Sequence, residues 1–238
     1  MTQAQQPYVA APEWVRRTSL DVDPSSHHFI VLSFLHKWLR ERALPAARGR
    51  LLDYGCGGQP YRALFEAAVE SYATADVAAY AGKPVDVLLV PNQKVPLGDA
   101  SFDTILASQT LEHVPDPAFY VGECARLLRS GGMLILTAPM QWRHHEVPYD
   151  YFRFTRYGIE LLLKNCGFEV VEVASTGGVF ALIGQILLNH IAERGKRRPL
   201  LFRLVNRLAL WLDRRHPDGE DVINWMFLAR RIQSGTVS

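Results

Sequence analysis

The sequence predicts an α/β fold: a doubly wound, mostly parallel, seven-stranded sheet with an N-terminal helix and a helical insertion before the last strand. Short apolar stretches alternate with helical patterns along most of the chain, which is typical of parallel strands joined by right-handed crossover helices. A Gly-rich turn follows the first of these strands. The 238 residues, 48% of them hydrophobic and 21% charged, are enough for one domain with a sizeable core.

The elements follow from local patterns, taken in chain order. A helix is predicted over 24–44, because Asp23 can cap it, Pro24 suits its first turn, and apolar residues recur at helical spacing. The predicted strands are 50–54, 71–77, 86–90, 102–108, 133–138, 168–173 and 222–229. The predicted intervening helices are 60–69, 117–128 and 155–165, the second of them closed by the Gly131-Gly132 pair.

We expect a single domain over 1–238, with four parts: an N-terminal helical cap (1–48), a cofactor-binding core (49–177), a helical hairpin insertion (178–218) and a last strand with a tail (219–238). The segment 194–215 contains eight basic residues and one acid, a net charge of +7, whereas the rest of the chain carries −5. This amphipathic, basic hairpin fits a plain helical cap, a lid, a homodimer interface or a peripheral contact with an anionic membrane.

Composition excludes several classes of protein. The three cysteines are scattered and form no CxxC pair, which argues against a disulfide framework and a zinc site. Residues 1–11 do not resemble a secretory signal, and no apolar run reaches the roughly 18–20 residues of a membrane span. We therefore expect a cytoplasmic protein, either free or peripheral at a membrane. The basic segment lacks interleaved stacking aromatics, so nucleic acid is not an expected partner.

The strongest chemical signal is the sequence LLDYGCGGQP at 51–60. Gly55 and Gly57 allow a sharp turn and a close backbone approach to a ligand beyond the end of a strand. Pro60 stands where a dinucleotide fingerprint needs glycine, which disfavours a nicotinamide-dependent oxidoreductase. Asp53 suits a cationic ligand rather than a pyrophosphate. Asp76, about twenty residues past the turn, is placed to accept hydrogen bonds from ribose hydroxyls.

A third stretch, SFDTILASQTLEHVPDPAFYVGECARLLRSGGMLILTAPM at 101–140, completes a family pattern. Together with the Gly-rich turn and Asp76, it resembles the class I S-adenosylmethionine-dependent methyltransferases over roughly residues 50–175. The resemblance implies S-adenosylmethionine as cofactor. It implies a cofactor site composed of Asp53, Tyr54, Gly55, Cys56, Gly57, Asp76, Val77, Asn92, Gln109, Thr110 and Leu111. Asn92 stands in for the acid that commonly contacts the adenine amine, since its carbonyl can accept that hydrogen bond.

The sequence QWRHHEVPYDYFRFT at 141–155 resembles a subset of this family with an HE-PYDYFRFT-like segment, associated with polysaccharide, lipid and secondary-metabolite pathways. Because loops at strand ends carry function, we expect acceptor-site residues here. The candidates for catalysis are His113, His145, Glu146, Tyr149 and Arg153. Structural roles remain open for His113 and Arg153, and we expect Tyr151 and Phe154 to pack in the core.

No metal is predicted. In some relatives the Glu-His pair binds a metal with an acid three residues before the Glu, and here that position is Gln109. The expected function is methyl transfer from S-adenosylmethionine to a hydroxyl, amine or carbon of a small-molecule, glycan or lipid-linked acceptor. Catalysis would rest mainly on alignment, with His-assisted deprotonation where the acceptor needs it. The alternative is a non-catalytic cofactor-binding scaffold or subunit of a biosynthetic complex.

Overall fold

One seven-stranded sheet forms the centre of the molecule. The computed structural model describes residues 17–80, 82–195 and 198–232. The strands are β1 (Arg50–Tyr54), β2 (Ser71–Asp76), β3 (Val87–Leu88), β4 (Phe102–Ser108), β5 (Leu128–Pro139), β6 (Phe168–Ser175) and β7 (Asn224–Arg231). Their order in the sheet is β3-β2-β1-β4-β5-β7-β6. The five strands β1 to β5 are parallel to one another, while β7 is antiparallel to both β5 and β6.

Helices cover both faces of this sheet. They are α1 (Phe29–Trp38), α2 (Leu44–Ala46), α3 (Arg62–Phe65), α4 (Pro117–Leu127), α5 (Arg156–Asn165), α6 (Val179–Glu193) and α7 (Pro199–Arg215). A π-helical turn, Leu39–Ala43, joins α1 to α2. The predicted doubly wound, mostly parallel sheet, the N-terminal helix and the helical insertion before the last strand are confirmed.

Two hydrophobic cores lie on opposite sides of the sheet, because neighbouring strand residues point to opposite faces. Leu52 and Leu134 pack in the core under α4 and α5. Their neighbours Leu51 and Ile135 pack in the core under α1, α6 and α7. The N-terminal helix and the hairpin therefore cover the same face of the sheet.

Three expectations about element boundaries are wrong. The first helix begins at Phe29 rather than at residue 24, because the Asp23 carboxylate accepts a hydrogen bond from the Ser25 backbone N–H and closes a turn there. The pair Gly131-Gly132 does not close α4, since the chain passes from helix to strand at Leu128 and both glycines lie within β5. The third strand is two residues long rather than five.

Specific contacts fix the hairpin of α6 and α7 to the rest of the fold. The buried Asp213 carboxylate of α7 accepts hydrogen bonds from the Gly178 and Ala181 backbone N–H groups and so caps α6. The Gln185 side chain of α6 accepts a hydrogen bond from the Val31 N–H of α1. Within the described ranges, no helix combines the length and apolarity that crossing a membrane requires.

Some predicted features lie outside the described residues. These are residues 1–16 of the expected N-terminal cap, Ala81 of the core, Lys196 and Arg197 of the basic segment, and residues 233–238 of the expected tail.

Candidate active site

A cavity of about 610 Å³ opens at the carboxyl ends of the central strands. Residues that follow β1, β2 and β4 line it, and β1 and β4 are the strands between which the order of the sheet reverses. Ligands of open α/β sheets bind at such a switch point. The Gly-rich turn and Asp76, which the sequence places after β1 and at the end of β2, therefore meet in one site.

The Gly-rich turn is held close to the neighbouring strands. Gly55 has φ +85°, and its N–H donates to the Ala75 carbonyl at 2.8 Å. A Cβ at this position would lie 2.3 Å from Cγ2 of Thr110, which also donates a hydrogen bond to the Gly55 carbonyl. Gly57 has φ +51°. Glycine is thus required at position 55 both by backbone conformation and by space.

Two carboxylates line the same part of the cavity. Asp53 is almost fully buried and accepts a hydrogen bond of 2.5 Å from the Tyr72 hydroxyl. Burial raises the pKa of Asp53 to about 7, because a carboxylate is poorly solvated there. The Asp76 carboxylate accepts hydrogen bonds from the Gly57 N–H at 2.7 Å and the Ala78 N–H at 3.3 Å, so the turn and the acid orient each other.

The other expected cofactor residues are placed as follows. Tyr54, Cys56, Val77, Asn92, Gln109 and Thr110 line the cavity. Asn92 and Gln109 both have positive φ, near +55°. The chain therefore turns sharply at these two positions, which follow β3 and β4. Leu111 differs from the expectation: its side chain is fully buried in the core under α4 and therefore does not line the cavity.

A pair of imidazoles occupies the other end of the cavity. The ring centres of His113 and His145 lie 4.6 Å apart in an edge-to-face arrangement. Nδ1 of His113 lies 2.9 Å from the Tyr149 carbonyl oxygen, so this nitrogen carries the proton of the neutral ring and Nε2 is left as the acceptor. Burial lowers the pKa of His145, which keeps this ring neutral near pH 7.

Glu112 lies directly beside these rings. It is fully buried, neither carboxylate oxygen has a hydrogen-bond partner, and burial raises its pKa to about 8. Its Oε1 lies 3.9 Å from Nε2 of His113 and 4.0 Å from Nε2 of His145. These three residues are the group that could hold a metal ion within the described part of the chain, with ligand atoms within 4.8 Å of one another. The absence of a metal stays a prediction.

The loop 141–153 is organised by Asp150. Arg153 donates to both oxygens of this carboxylate, at 2.6 and 2.8 Å, and also to the Trp142 and Arg143 carbonyls. Burial raises the pKa of Asp150, but the Arg153 and His145 hydrogen bonds outweigh it and lower the pKa to about 2. Arg153 therefore positions the loop and does not line the cavity, which corrects its expected place beside the acceptor.

The remaining candidates of this loop are brought to the cavity. His145, Glu146 and Tyr149 line it. Tyr151 also lines the cavity and is 44% exposed, so the expectation that it packs in the core is wrong. Phe154 is partly buried against the core, as expected.

One wall of the cavity was not predicted from the sequence. It consists of His28, Val31, Leu32 and Leu35 of the α1 region, together with Trp142. Burial lowers the pKa of His28 to about 4, so its ring is neutral near pH 7. The helical spacing of 28, 31, 32 and 35 marks one face of a helix, but that pattern is the same for a helix that packs on the core and for one that lines a cavity.

Known proteins resemble this chain in both sequence and fold. A family profile described as "Methyltransferase domain" matches residues 52–136. A probable S-adenosylmethionine-dependent methyltransferase of Mycobacterium tuberculosis is 33% identical over 132 residues, which are 52% of this chain and 46% of that protein. A ubiquinone biosynthesis O-methyltransferase of Thiobacillus denitrificans is 32% identical over 113 residues, 42% of this chain and 48% of that protein. Residues 52–136 of this chain therefore belong to the methyltransferase domain family.

Solved structures agree on the fold of this chain. An S-adenosylmethionine-dependent methyltransferase from Archaeoglobus fulgidus matches with a TM-score of 0.55 at 16% identity, covering 82% of this chain and 92% of that one. The [4+2]-cyclase SpnF matches with a TM-score of 0.54 at 20% identity, covering 84% and 81%. The chain spans about half the length of the first sequence relatives that it matches. The likeness to the HE-PYDYFRFT-like subset stays a prediction.

The residues that line this cavity fit S-adenosylmethionine. Asp53 is a buried carboxyl whose ionised form is costly without a cationic partner, and the ammonium end of the methionine moiety is such a partner. Asp76 lies across the Gly-rich turn from it, where a carboxylate can accept from ribose hydroxyls. The cavity volume also falls within the roughly 300–1,000 Å³ usual for ligand pockets.

Proposed function

We propose that this chain transfers the methyl group of S-adenosylmethionine to a hydroxyl group on an acceptor with an apolar body. The observation that carries the proposal is a single cavity with the Gly-rich turn, Asp53 and Asp76 at one end and the His113–His145 pair at the other. Carbon and amine acceptors were equally open from the sequence. The imidazole pair favours a hydroxyl, because that group must lose a proton during transfer.

When bound, S-adenosylmethionine supplies an activated methyl group on a sulfonium, which is already a good leaving group. The protein's part is then to hold two reactants in line and to exclude water. In the proposal, Asp53 faces the ammonium group, Asp76 the ribose and Asn92 the adenine amine. Thr110 and Gln109 hold the floor of the site through hydrogen bonds to Gly55 and Thr137.

The acceptor lies against α1 and the loop 141–153 in this proposal. Val31, Leu32 and Leu35 present an apolar wall, and Trp142 adds an aromatic surface, so an apolar body is favoured over a bare sugar. Nε2 of His113 or His145 takes the hydroxyl proton. Glu146 and Tyr149 line the same end and orient the acceptor.

Two measurements on the purified chain test the proposal. Calorimetry should give saturable one-site binding of S-adenosylmethionine that is lost in Asp76→Ala and absent with NAD. Formation of S-adenosylhomocysteine should then be followed with phenols, long-chain alcohols and amines. We expect turnover with hydroxyl acceptors, and a loss of about a hundredfold in His145→Ala. The neighbouring His144 is 90% exposed, so His144→Ala is the matched control and should keep full activity.

Other outcomes would identify a different function. Turnover with amines alone would overturn the hydroxyl acceptor. Tight cofactor binding without turnover of any acceptor would favour the non-catalytic scaffold, an alternative that this fold permits because fold alone does not determine chemistry. A rate that falls on dialysis against a chelator would show that the activity needs a metal ion, for which Glu112, His113 and His145 are the candidate ligands.

A further inference from the structure

The outer surface of the α6–α7 hairpin is unusually apolar. Its large exposed apolar residues form what we call the docking face: Ile183, Ile186, Leu187, Leu200, Leu204, Leu208 and Trp211. Leu200 is 80% exposed and Leu204 is 62% exposed. Single exposed apolar residues are ordinary, but a cluster on one element marks an interaction site.

The residues of the docking face recur at the helical period on each helix. On α6, residues 183, 186 and 187 share one side, and on α7, residues 200, 204, 208 and 211 share one side. The helices are closely packed, because a Cβ at Gly184 would lie only 2.5 Å from Cβ of Ala209. The opposite sides of both helices are already buried in the core under α1. The hairpin therefore has apolar residues both on the side that packs in the core and on the exposed side.

Positive charge surrounds this apolar surface. The exposed arginines are Arg194, Arg198, Arg203, Arg207, Arg214 and Arg215. The single acid between residues 194 and 215, Asp213, is buried and accepts the hydrogen bonds that cap α6. The Arg215 guanidinium lies 4.8 Å from the centre of the Trp211 ring, so charged and apolar groups alternate on the same surface.

We propose that the docking face of the hairpin binds the surface of an anionic lipid bilayer. Apolar side chains between arginines match the boundary between acyl chains and negatively charged headgroups. A second copy of the chain is a poorer occupant, because pairing two docking faces would bring two arginine rims together and like charges repel. Negatively charged lipid headgroups would neutralise these arginines, whereas in a dimer the arginines of the two copies would face one another.

The hairpin is also connected to the acceptor end of the cavity. Arg143 of the loop 141–153 forms an ion pair with Glu193 at the end of α6. Val31, which lines the cavity, donates its backbone N–H to Gln185 of α6. A membrane bound to the outer side of the hairpin would thus be linked through α6 to α1 and to the loop 141–153, which line the acceptor site. Resting on the proposed function, this names the acceptor class: a hydroxyl compound carried on a lipid.

Flotation with vesicles tests the inference. The chain should float with vesicles of phosphatidylcholine and phosphatidylglycerol at low salt, and not with phosphatidylcholine alone; added salt should weaken binding. Leu204→Ser combined with Leu208→Ser should reduce the bound fraction about tenfold, as should Arg207→Glu combined with Arg214→Glu. Leu161 of α5 is 61% exposed but distant from the hairpin in sequence and element, so Leu161→Ser is the matched control and should bind like the parent.

Several results would overturn it. No flotation of the parent chain with anionic vesicles would do so, as would an equal loss in Leu161→Ser. A dimer seen by light scattering that disappears in the Leu204/Leu208 double variant would assign the docking face to a second copy instead. Circular dichroism and S-adenosylmethionine titration of each variant confirm that the fold and the cofactor site are intact. Membrane binding can therefore fail without the proposed methyl transfer failing.

Discussion

The Asp53 carboxyl is held between two opposing requirements. Its burial beside Tyr72 raises its pKa to about 7, while a cationic ligand would need it ionised. The unfolded chain releases this proton near the ordinary value of 3.8, and the folded chain keeps it until about pH 7. The folded state therefore binds more protons between these values, and the free energy of unfolding falls as the pH rises through this window.

This balance predicts a pH-dependent affinity. S-adenosylmethionine should bind about tenfold more tightly at pH 8 than at pH 6, since its ammonium group favours the ionised carboxylate. In Asp53→Asn the affinity should be low and nearly independent of pH, and the ligand-free protein should lose less stability between pH 4 and pH 7. Calorimetric titration and thermal melts across this range would measure both effects. An affinity that is flat with pH in the parent chain would contradict the role of Asp53.

Replacing Gly55 with alanine should reduce stability for two reasons that can be separated by experiment. Gly55→Ala combines an unfavourable positive φ with a clash against Thr110, and should lower the free energy of unfolding by about 2–4 kcal/mol. Gly131 also has positive φ, +75°, but no atom lies within 4 Å of a Cβ placed there. Gly131→Ala should therefore cost only about 1–2 kcal/mol. If urea denaturation gave the same loss of unfolding free energy for Gly55→Ala and Gly131→Ala, the Thr110 side chain would be able to move aside at little cost.

Most of the candidate cofactor residues, though not Leu111, could be placed at the cavity from the sequence, because they stand at or just after the carboxyl ends of strands. Asp53, Gly55, Gly57 and Asp76 all line or border the cavity as a result. The role of Arg153 could not, since whether a loop arginine faces a ligand or a nearby acid depends on the path of the whole loop. Here Asp150, three residues earlier, accepts two of its hydrogen bonds.

At the scale of elements, the end of α1 and the turn after it are tied to the edge strand β6. Arg42, in the π-helical turn after α1, forms an ion pair with Glu172 of β6, and the Trp38 indole N–H donates to the same carboxylate at 3.1 Å. Hydrogen bonds from Arg42 and Trp38 lower the pKa of Glu172 despite its partial burial. This contact keeps α1 against the sheet, and α1 supplies one wall of the cavity.

Glu172→Gln should therefore destabilise the protein by about 1 kcal/mol at pH 7. Because the folded pKa is lowered, the difference from the parent should be fully present above pH 4.5 and shrink as the pH falls below it. Glu169, on the same strand, is matched to it: its contact with Arg230 is 3.9 Å long and exposed. Glu169→Gln should change stability by less than about 0.5 kcal/mol in the same denaturation experiment.

Element type was more predictable than element ends. The predicted helix at 24–44 has the right period, but turn-forming residues before Phe29 satisfy their own backbone groups and delay its start. Similarly, Gly131 and Gly132 look like a helix terminator, yet they lie within β5, where its register with β4 shifts, and glycine suits both roles. Local pattern specifies what a segment becomes, while its limits depend on competing hydrogen bonds.

At the scale of the whole molecule, β7 joins the edge strand β6 to the rest of the sheet. Phe227 lies at its centre, fully buried, with Leu136 of β5 on one side and Val173 of β6 on the other. Phe227→Ala should lower the free energy of unfolding by about 3–5 kcal/mol. Ile232, just past the end of β7, is 45% exposed, and Ile232→Ala should cost less than about 1 kcal/mol. A small effect at Phe227 in urea denaturation would mean that β6 and β7 contribute little to stability.

The position of β7 also bears on how the chain acquires its fold during synthesis. Residues 224–231 are translated after β6, yet they lie between β5 and β6. While the ribosome is still translating the hairpin, β5 has an unpaired edge and β6 has no neighbouring strand, although the strands from β3 to β5 can already pair. Open strand edges favour aggregation, so we expect the nascent chain to be most prone to it until β7 emerges and is inserted between β5 and β6.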